Sequence, residues 1–358
     1  MKLTVIICVY NTDKSYLDEC LSSITHSSLA TAKLCDRDDI GYEILMIDDG
    51  STEDYRDLVD KYGVRYVKTE NRGIFTARAL GVELADGDFI TFCDSDDTVS
   101  FNYHLPMLMT AELHSADIVI NDWAFHSRST RYFCGADSTI NSDLALTGEN
   151  VLLAFAAQEG REHSYYVLWN KIYSAPILKS AMRYAQKASA GIARFNYSED
   201  ALINFYAFRE AKTLQNVHTG YYFYRIHSTQ SVNVTSRERL ISQIDMMALT
   251  LRAMRDGCAD SVHREELIAH INEWASLISR THYSYAKSSG YEDLFPYIKE
   301  NTEYLSLLAP PYTTARHTQK TVCSPRTSPR LITPCSQYGR ARIHTCEILR
   351  ESIIPVAH

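Results

Sequence analysis

Two aspartates directly after a short apolar run are the residues in this sequence best suited to chemistry. Asp94 and Asp96 follow the run Phe89-Ile-Thr-Phe-Cys93, whose length and side chains predict a buried strand. Carboxylates two residues apart just past a strand can turn toward one ion, and their hard oxygens suit Mg²⁺ or Mn²⁺ bridging a diphosphate. The same residues fit a solvated turn with a helix N-cap at Asp97 or Ser100, so the pair alone leaves both interpretations open.

A second acidic pair lies at a predicted helix start. Ser198 can serve as the N-cap of a helix that continues through Ala201 to Phe208, which places Glu199 and Asp200 in its first turn. The positive end of the helix dipole keeps a carboxylate ionised there, as a general base requires. Acidic residues also occupy first turns for stability alone, so this pair by itself does not indicate catalysis.

The elements that must position these carboxylates alternate between strand-like and helix-like patterns. Short apolar runs predict four buried strands, at Leu3 to Val9, Tyr42 to Ile47, Val64 to Val67 and Phe89 to Cys93. Helical spacing and capping signals predict helices between them, at Lys14 to Thr25, from Ser51-Thr-Glu-Asp54 to Gly63, and at Phe75 to Ala85. The order βαβαβαβ predicts a mainly parallel, Rossmann-like α/β sheet with helices on both faces.

Both acidic clusters of the first hundred residues fall at one edge of this predicted sheet. Asp48-Asp49 follows the second strand, and Asp94-Ser95-Asp96-Asp97 follows the fourth. Ligands of such sheets bind beyond the carboxyl ends of the strands. Because like charges repel, we expect a cation or a set of hydrogen-bond donors beside these carboxylates.

The rest of the chain divides into three regions. Asp117 to Trp123 as a strand and Val151 to Ala157 as a helix continue the α/β domain, which we place at 1–235. Apolar residues at helical spacing from Ser236 predict a small helical region at 236–308. The segment 309–358 holds six of the nine prolines and seven Lys or Arg against two Glu, which predicts a poorly ordered basic tail.

Composition and charge exclude several classes of protein. The 358 residues are 45% hydrophobic and 22% charged, which excludes collagen-like, coiled-coil and wholly disordered chains. The net charge of −8 argues against a general nucleic-acid binder. The tail carries +5 and residues 1–308 carry −13. The tail can contact an anionic membrane surface, although its composition favours an extension without a direct role in chemistry.

Cysteine usage and hydropathy indicate the compartment. Nine scattered cysteines without a Cys-x-x-Cys pair favour free thiols over a disulfide framework or a zinc site. No run approaches the ~18 to 20 apolar residues of a membrane span, and no signal-peptide pattern follows Met1. We therefore expect a cytoplasmic protein, with peripheral contact at the inner face of the cell membrane left open by the tail.

Six stretches of the sequence resemble the family-2 glycosyltransferases, a group with the nucleotide-sugar-binding GT-A fold. Four lie in the first hundred residues, in the family's order: Val5-Ile-Ile-Cys-Val-Tyr-Asn11, Ile47-Asp-Asp-Gly-Ser-Thr-Glu-Asp54, Glu70-Asn-Arg-Gly73 with Thr76-Ala-Arg78, and Gly87-Asp-Phe-Ile-Thr-Phe-Cys-Asp-Ser-Asp-Asp97. Two follow later, Leu168-Trp-Asn-Lys171 and Tyr197-Ser-Glu-Asp200. In addition, Tyr224-Arg-Ile-His227 is similar to the phosphate-proximal loop of many bacterial members.

The resemblance implies roles for particular residues. Asp200 would be the general base that takes the proton of the acceptor hydroxyl in one inverting step. Asp94 and Asp96 would hold the ribose and the metal ion, Mn²⁺ or Mg²⁺, and His227 is a further candidate ligand. The nucleotide-sugar pocket would comprise Val9, Tyr10, Asn11, Asp49, Arg78, Asp94, Ser95, Lys171 and Arg225. In that pocket Tyr10 would flank the base and Asp49 would accept a hydrogen bond from the base edge, which favours a UDP-sugar.

The positive side chains among these candidates have a separate expectation. Lys171, Arg225 and His227 would neutralise the departing diphosphate, because positive charge aimed at a leaving group stabilises the transition state. The sequence departs from the family pattern at Cys8-Val9, where many members have proline, and at Ala79, where asparagine is usual. These departures bear on the choice of donor more than on the class of reaction.

The resemblance therefore implies a metal-dependent inverting glycosyltransferase. It would move a sugar from a nucleotide-sugar to a hydroxyl of a glycan or lipid-linked acceptor, in surface polysaccharide synthesis. Two alternatives stay open. Phe92 to Val99 also fits the Asp-x-Asp-x-Thr pattern of haloacid-dehalogenase-type phosphatases, although three strand-helix units precede it here. A nucleotide-sugar-binding module without turnover is the other.

Overall fold

The computed structural model describes residues 1–30, 33, 35–126, 131–132, 145–157, 163–226 and 236–303. His227 and the predicted tail at 309–358 lie outside these ranges. Residues 1–310 form one compact unit. The predicted boundary between 1–235 and 236–308 stays a prediction.

One sheet contains all ten strands that the described ranges include, in the order β3-β2-β1-β4-β9-β6-β10-β5, with β7 beside β6 and β8 beside β10. The strands are β1 Lys2–Val9, β2 Gly41–Asp48, β3 Arg65–Lys68, β4 Phe89–Asp94, β5 Thr98–Val99, β6 Ile118–His126, β7 Arg131–Tyr132, β8 Leu146–Thr147, β9 Lys171–Ser174 and β10 Thr213–Arg225.

The first four strands form the parallel half of the sheet, as the alternating sequence pattern predicts. β1 lies between β2 and β4, and all three run in the same direction. In this register Val9 is level with Asp48, and Cys8 is level with Asp94. The two acidic clusters therefore lie at the same edge of the sheet, on either side of the end of β1.

The second half of the sheet is mixed. β9 is antiparallel to both β4 and β6, whereas β6 and β10 are parallel to each other. The strand predicted at Asp117 to Trp123 is confirmed as β6. Because β9 reverses direction, β6 and β10 end at the same edge as β4. This brings the end of β10 beside the Asp94 cluster.

The helices begin and end close to their predicted positions in the first half of the chain. They are α1 Lys14–Thr25, α2 Arg56–Tyr62, α3 Ile74–Leu84, α4 His104–His114, α5 Glu149–Ala157, α6 His163–Tyr166, α7 Ala175–Ala188, α8 Glu199–Glu210, α9 Arg237–Gly257, α10 Arg264–Ser288 and α11 Phe295–Ile298. None of the helices in the described ranges combines the length and the apolar character needed to span a bilayer.

Two apolar clusters cover the two faces of the sheet. Along β1, Val5 and Ile7 face one cluster while Ile6 faces the other, because successive side chains of a strand point to opposite faces. The first cluster includes residues of α1 and α4. The second includes residues of α3, α7 and α8, and also of α9 and α10. The later helices thus extend the core behind α8.

The start of α2 differs in detail from its prediction, whereas its end does not. α2 begins two residues after the predicted capping box, with Tyr55 at the N-cap position and no side-chain cap. The Ser51 side chain instead accepts the N–H of Asn11 at 2.9 Å, so this serine ties two loops together. The predicted C-cap is confirmed, since Gly63 has a φ of 63°, in the left-handed region that glycine adopts without strain.

Candidate active site

The loop after β1 forms one wall of the site. Val9 ends the strand and is buried, whereas the Tyr10 side chain that follows is 55% exposed. Asn11 adopts a φ of 50° and accepts hydrogen bonds from the backbone N–H and the hydroxyl of Thr52, at 2.8 and 3.0 Å. These two hydrogen bonds fix the loop. The Tyr10 ring stays exposed, at the edge of the sheet where the two aspartate clusters lie.

The two aspartates after β2 have separate partners. Asp48 accepts hydrogen bonds from the Tyr66 hydroxyl and the Ser51 backbone; burial raises its pKa, but these bonds outweigh burial and the net pKa is lowered. Asp49 accepts the backbone N–H groups of Arg72 and Gly73, each at 2.8 Å. Asp49 therefore anchors the loop that enters α3. Its hydrogen bond with the base of the nucleotide stays a prediction.

The four residues after Cys93 divide between structure and solvent. Ser95 is buried, and its hydroxyl lies 2.6 Å from that of Thr12. Asp97 is also buried and accepts hydrogen bonds from the Tyr222 hydroxyl and the Arg225 backbone, both at 2.7 Å. The Asp94 side chain is 34% exposed, and Asp96 is likewise half-buried. The turn is thus held by Ser95 and Asp97, while Asp94 and Asp96 stay partly exposed.

The donor set at this turn fits a hard divalent cation. Burial raises the pKa of Asp94 to about 6; the Arg78 guanidinium opposes this shift, and the charges of Asp200 and Asp96 add to it. A divalent cation would relieve that crowding. No third His, Cys, Asp or Glu completes a metal cluster within the described ranges, so water and diphosphate oxygens would fill the other positions, as they commonly do for Mg²⁺. The predicted ligand His227 falls outside these ranges.

The predicted base and Asp94 both contact the Arg78 guanidinium. Asp200 is in the first turn of α8, and its side chain is 24% exposed. Ser198 precedes the helix as predicted, but its side chain makes no cap hydrogen bond; its φ is 62°, and its hydroxyl lies 2.8 Å from that of Thr250 on α9. The α8 start is therefore fixed by a contact with α9 rather than by a serine cap.

Arg78 occupies the space between the two acidic groups. From the middle of α3, its guanidinium donates hydrogen bonds to Asp94 at 3.2 Å, to Glu199 at 2.8 Å and to Asp200. The resemblance implies a place near the nucleotide, whereas the structure pairs this side chain with three carboxylates. Glu199, which the sequence analysis did not select as a site residue, is part of this cluster. Burial and the neighbouring Asp200 raise the pKa of Glu199 to about 8.

Lys171 does not have the position expected of a diphosphate ligand. Its amino group is fully buried and donates to the Ser164 carbonyl, to the Val167 carbonyl at 2.6 Å and to the Asn170 side chain at 2.7 Å. Burial lowers the pKa of this amine, which further weakens it as a source of positive charge. The expected contact is therefore corrected: the lysine holds the segment before β9 in place.

Arg225, at the end of β10, lies beside the Asp94 turn. Its side chain donates to the Asp96 carbonyl at 2.6 Å and to Glu19 at 2.5 Å, and its guanidinium lies 4.4 Å from the centre of the Tyr16 ring. The guanidinium thus braces the backbone of a predicted metal ligand. Its predicted contact with a diphosphate stays a prediction.

Two further residues support the site and were missed from the sequence. Tyr222 donates its hydroxyl to Asp97 and accepts the backbone N–H of Asp94 at 3.0 Å. Asn204 donates to the Asp200 carbonyl at 3.1 Å and accepts the Tyr173 hydroxyl at 2.7 Å. Asn204 follows Asp200 by one helical turn, a spacing that could have indicated it. Tyr222 is one of four consecutive aromatic residues, and nothing in the local sequence distinguishes it from the other three.

Comparisons with known proteins agree with this architecture. Residues 4–148 match the family described as Glycosyl transferase family 2. The chain is 26% identical over 317 residues to a protein of Bacillus subtilis named "Putative glycosyltransferase EpsH", and the match covers 84% of this chain and 85% of EpsH. It is 24% identical over 257 residues to the glycosyltransferase GlyA of Streptococcus pneumoniae, covering 69% of this chain but 34% of GlyA.

One solved structure shares the fold over most of the chain. The crystal structure of residues 1–349 of Staphylococcus aureus TarS matches with a TM-score of 0.57 and 16% identity, covering 86% of this chain and 83% of that one. In sequence, TarS is 26% identical to this chain over 126 residues, which is 34% of this chain and 20% of TarS. Its name is poly(ribitol-phosphate) beta-N-acetylglucosaminyltransferase.

Proposed function

The chain is a glycosyltransferase with a GT-A fold, and its residues 4–148 belong to Glycosyl transferase family 2; from this premise we propose that it is a metal-dependent inverting enzyme. It moves a sugar from a nucleotide-sugar to a hydroxyl of a glycan or lipid-linked acceptor. The observation that carries the proposal is the convergence of Asp94 and Asp200 on Arg78, with Asp96 two residues from Asp94. The family match disfavours the phosphatase interpretation.

The acceptor is activated by Asp200. Its carboxylate takes the proton of the acceptor hydroxyl while that oxygen bonds to the anomeric carbon, and the bond from this carbon to the diphosphate breaks in the same step. Attack on the face opposite the leaving group inverts the anomeric carbon. The Arg78 guanidinium donates a hydrogen bond to the Asp200 carboxylate, and Asp200 lies in the first turn of α8.

The nucleotide-sugar donor is bound at the ends of β1, β2 and β4. Asp94 and Asp96 would hold Mn²⁺ or Mg²⁺, and the bound ion would supply positive charge at the diphosphate. The exposed Tyr10 ring offers a face on which a base can stack, and a carboxylate at Asp49 suits the ring N–H of uracil, so a UDP-sugar is the favoured donor. The name of TarS, an N-acetylglucosaminyltransferase acting on a polyol phosphate, supports an acceptor with many hydroxyls.

We also infer the product and the place of action. A hydroxyl-rich acceptor fits the synthesis of a surface polysaccharide. We assign the reaction to the cytoplasm, with the basic 309–358 segment as the part that contacts the inner face of the cell membrane.

A donor panel tests this function. Purified protein is incubated with UDP- and GDP-sugars, and release of nucleoside diphosphate is measured with EDTA and after addition of Mn²⁺ or Mg²⁺. We expect release from one or a few UDP-sugars, lost with EDTA and restored by the metal. The same preparations are assayed with p-nitrophenyl phosphate. Turnover of this ester with no response to any nucleotide-sugar would overturn the proposal in favour of a phosphatase.

A further inference from the structure

Arg78 is enclosed by the protein and faces carboxylates on two sides. Its side chain is 6% exposed. One terminal amino group donates to Glu199 and Asp200, and the other donates to Asp94. The acceptors are 16, 121 and 122 residues away along the chain, at the end of β4 and the start of α8. A single buried guanidinium therefore connects two elements that the sequence separates widely.

The geometry of this contact matches a fixed bridge. A guanidinium is planar and presents its N–H groups in a rigid fork, so two carboxylates bound to different amino groups are held at a set separation. Arg78 is itself fixed because α3 packs closely on β1 and β2: a methyl group added at Gly81, one turn along, would lie 2.6 Å from Ile6. The bridge thus has a rigid base.

The backbone of the predicted base is fixed separately. The Asp200 carbonyl accepts a hydrogen bond from Asn204, and the preceding Ser198 is bound to Thr250. These contacts locate the α8 start but leave rotation of the Asp200 side chain open. Arg78 restrains that rotation, and Glu199 restrains Arg78 from the adjacent position.

We propose that Arg78 is a positioning residue that aligns the Asp200 carboxylate with the donor held at Asp94, and that Glu199 acts through Arg78 as its second anchor. This inference rests on the proposed function of Asp200 and Asp94. It differs from a nucleotide-binding role, in which the guanidinium would contact the donor and set its affinity. Misplacement of a base by about 1 Å can cost on the order of 100-fold in rate, so loss of the bridge should reduce kcat rather than donor binding.

Four variants separate these roles, with donor Kd measured by calorimetry and kcat measured by transfer or donor hydrolysis. We expect Arg78→Met to lower kcat by about 100-fold with donor Kd changed less than about threefold. Arg78→Lys, which keeps the charge but not the fork, should recover about tenfold of that loss. Glu199→Leu, which removes the acceptor of the Arg78 hydrogen bond, should lower kcat by about tenfold, and Arg78→Lys with Glu199→Leu should be no slower than the slower single variant. Arg183→Met, at an exposed arginine of α7, is the matched control.

The outcomes distinguish the two levels of the proposal. Should Arg78→Met fail to fold in thermal unfolding, the lysine variant and Glu199→Leu carry the test. Donor Kd raised tenfold or more at near wild-type kcat would overturn the positioning role, as would additive losses in the double variant. Wild-type protein inactive on every nucleotide-sugar would remove the proposed function, and this role with it.

Discussion

At the scale of single residues, the site depends on an excess of carboxylates around one guanidinium. Asp94, Asp96 and Asp200 could be selected from the sequence, because a strand end and a helix start mark them. The partners of Arg78 could not, since its contacts with Glu199 and Asp200 join residues more than a hundred positions apart and depend on the tertiary structure. Lys171 shows the reverse case: its motif suggested a phosphate ligand, and its buried contacts show an internal brace.

The stability of the protein should fall as pH rises through the range in which Glu199 titrates. Its pKa is raised from 4.5 to about 8, so between these values the folded state keeps a proton that the unfolded state has released. The contribution of Glu199 to the stability of the folded protein is therefore complete below its pKa in the unfolded chain. It is lost as the pH rises above its pKa in the folded protein. Glu199→Gln removes this dependence, so the Tm of the variant minus that of the wild type should increase from pH 5 to pH 8.

Thermal unfolding followed by circular dichroism checks this prediction. Glu83→Gln, at an exposed glutamate of α3, is the control and should show a constant difference. A Tm difference for Glu199→Gln that does not change with pH would mean that Glu199 titrates normally in the folded protein.

Replacement of Lys171 separates its two interpretations. Lys171→Met removes the donor of the buried Ser164 carbonyl and of the Asn170 side-chain oxygen, which should cost about 1–3 kcal/mol of unfolding free energy. Donor affinity of the folded protein should be unchanged, because the amino group faces the protein interior. Urea unfolding and calorimetric donor titration measure the two quantities. Weaker donor binding with unchanged stability would restore the diphosphate role.

At the scale of elements, the parallel half of the sheet could be predicted because each strand is a short apolar run between turn signals. β10 could not be predicted in this way. Its register with β6 shifts between Asn216 and Tyr221, so apolar alternation is interrupted, and the end of the strand was assigned to a loop. β9 was missed for another reason: it is four residues long and begins at Lys171, a residue that the sequence marked only as a diphosphate ligand.

The close contact of α3 with β1 predicts an unusual response to a helix-favouring substitution. Gly81→Ala should raise helix propensity by about 1 kcal/mol, but its methyl group would lie 2.6 Å from the Ile6 Cγ2 atom and 3.3 Å from Cδ1. Because Cγ2 is attached to the backbone-proximal Cβ, it cannot swing away. We expect a net destabilisation of about 1–3 kcal/mol and a lower kcat, since α3 carries Arg78.

Chemical unfolding and steady-state kinetics measure these effects. Thr76→Ala, at an exposed position of the same helix, is the control, and its free energy of unfolding should change by less than about 0.5 kcal/mol. A more stable Gly81→Ala protein would show that α3 can move away from β1 without cost.

At the scale of the whole molecule, residues 1–310 form a unit with its own core. The net charge of −8 is the sum of an acidic segment at 1–308 and a basic segment at 309–358. A chain ending at Pro310 should therefore keep the Tm and donor turnover of the full chain. Binding to vesicles that contain an anionic lipid should be weaker for the shortened chain than for the full one, and equal for vesicles of neutral lipid. Vesicle sedimentation measures this, and a turnover that falls with truncation would place the basic segment in the reaction itself.

Transfer and donor binding by Asp200→Asn, measured side by side, test the central claim most directly. The donor identified by the panel is titrated into the variant with Mn²⁺, and transfer is measured under the same conditions. If Asp200 is the base, donor Kd stays within about threefold of wild type while transfer falls by at least about 100-fold. Transfer at near wild-type rate by Asp200→Asn would contradict the assignment of the base and, with it, the account of how this site works.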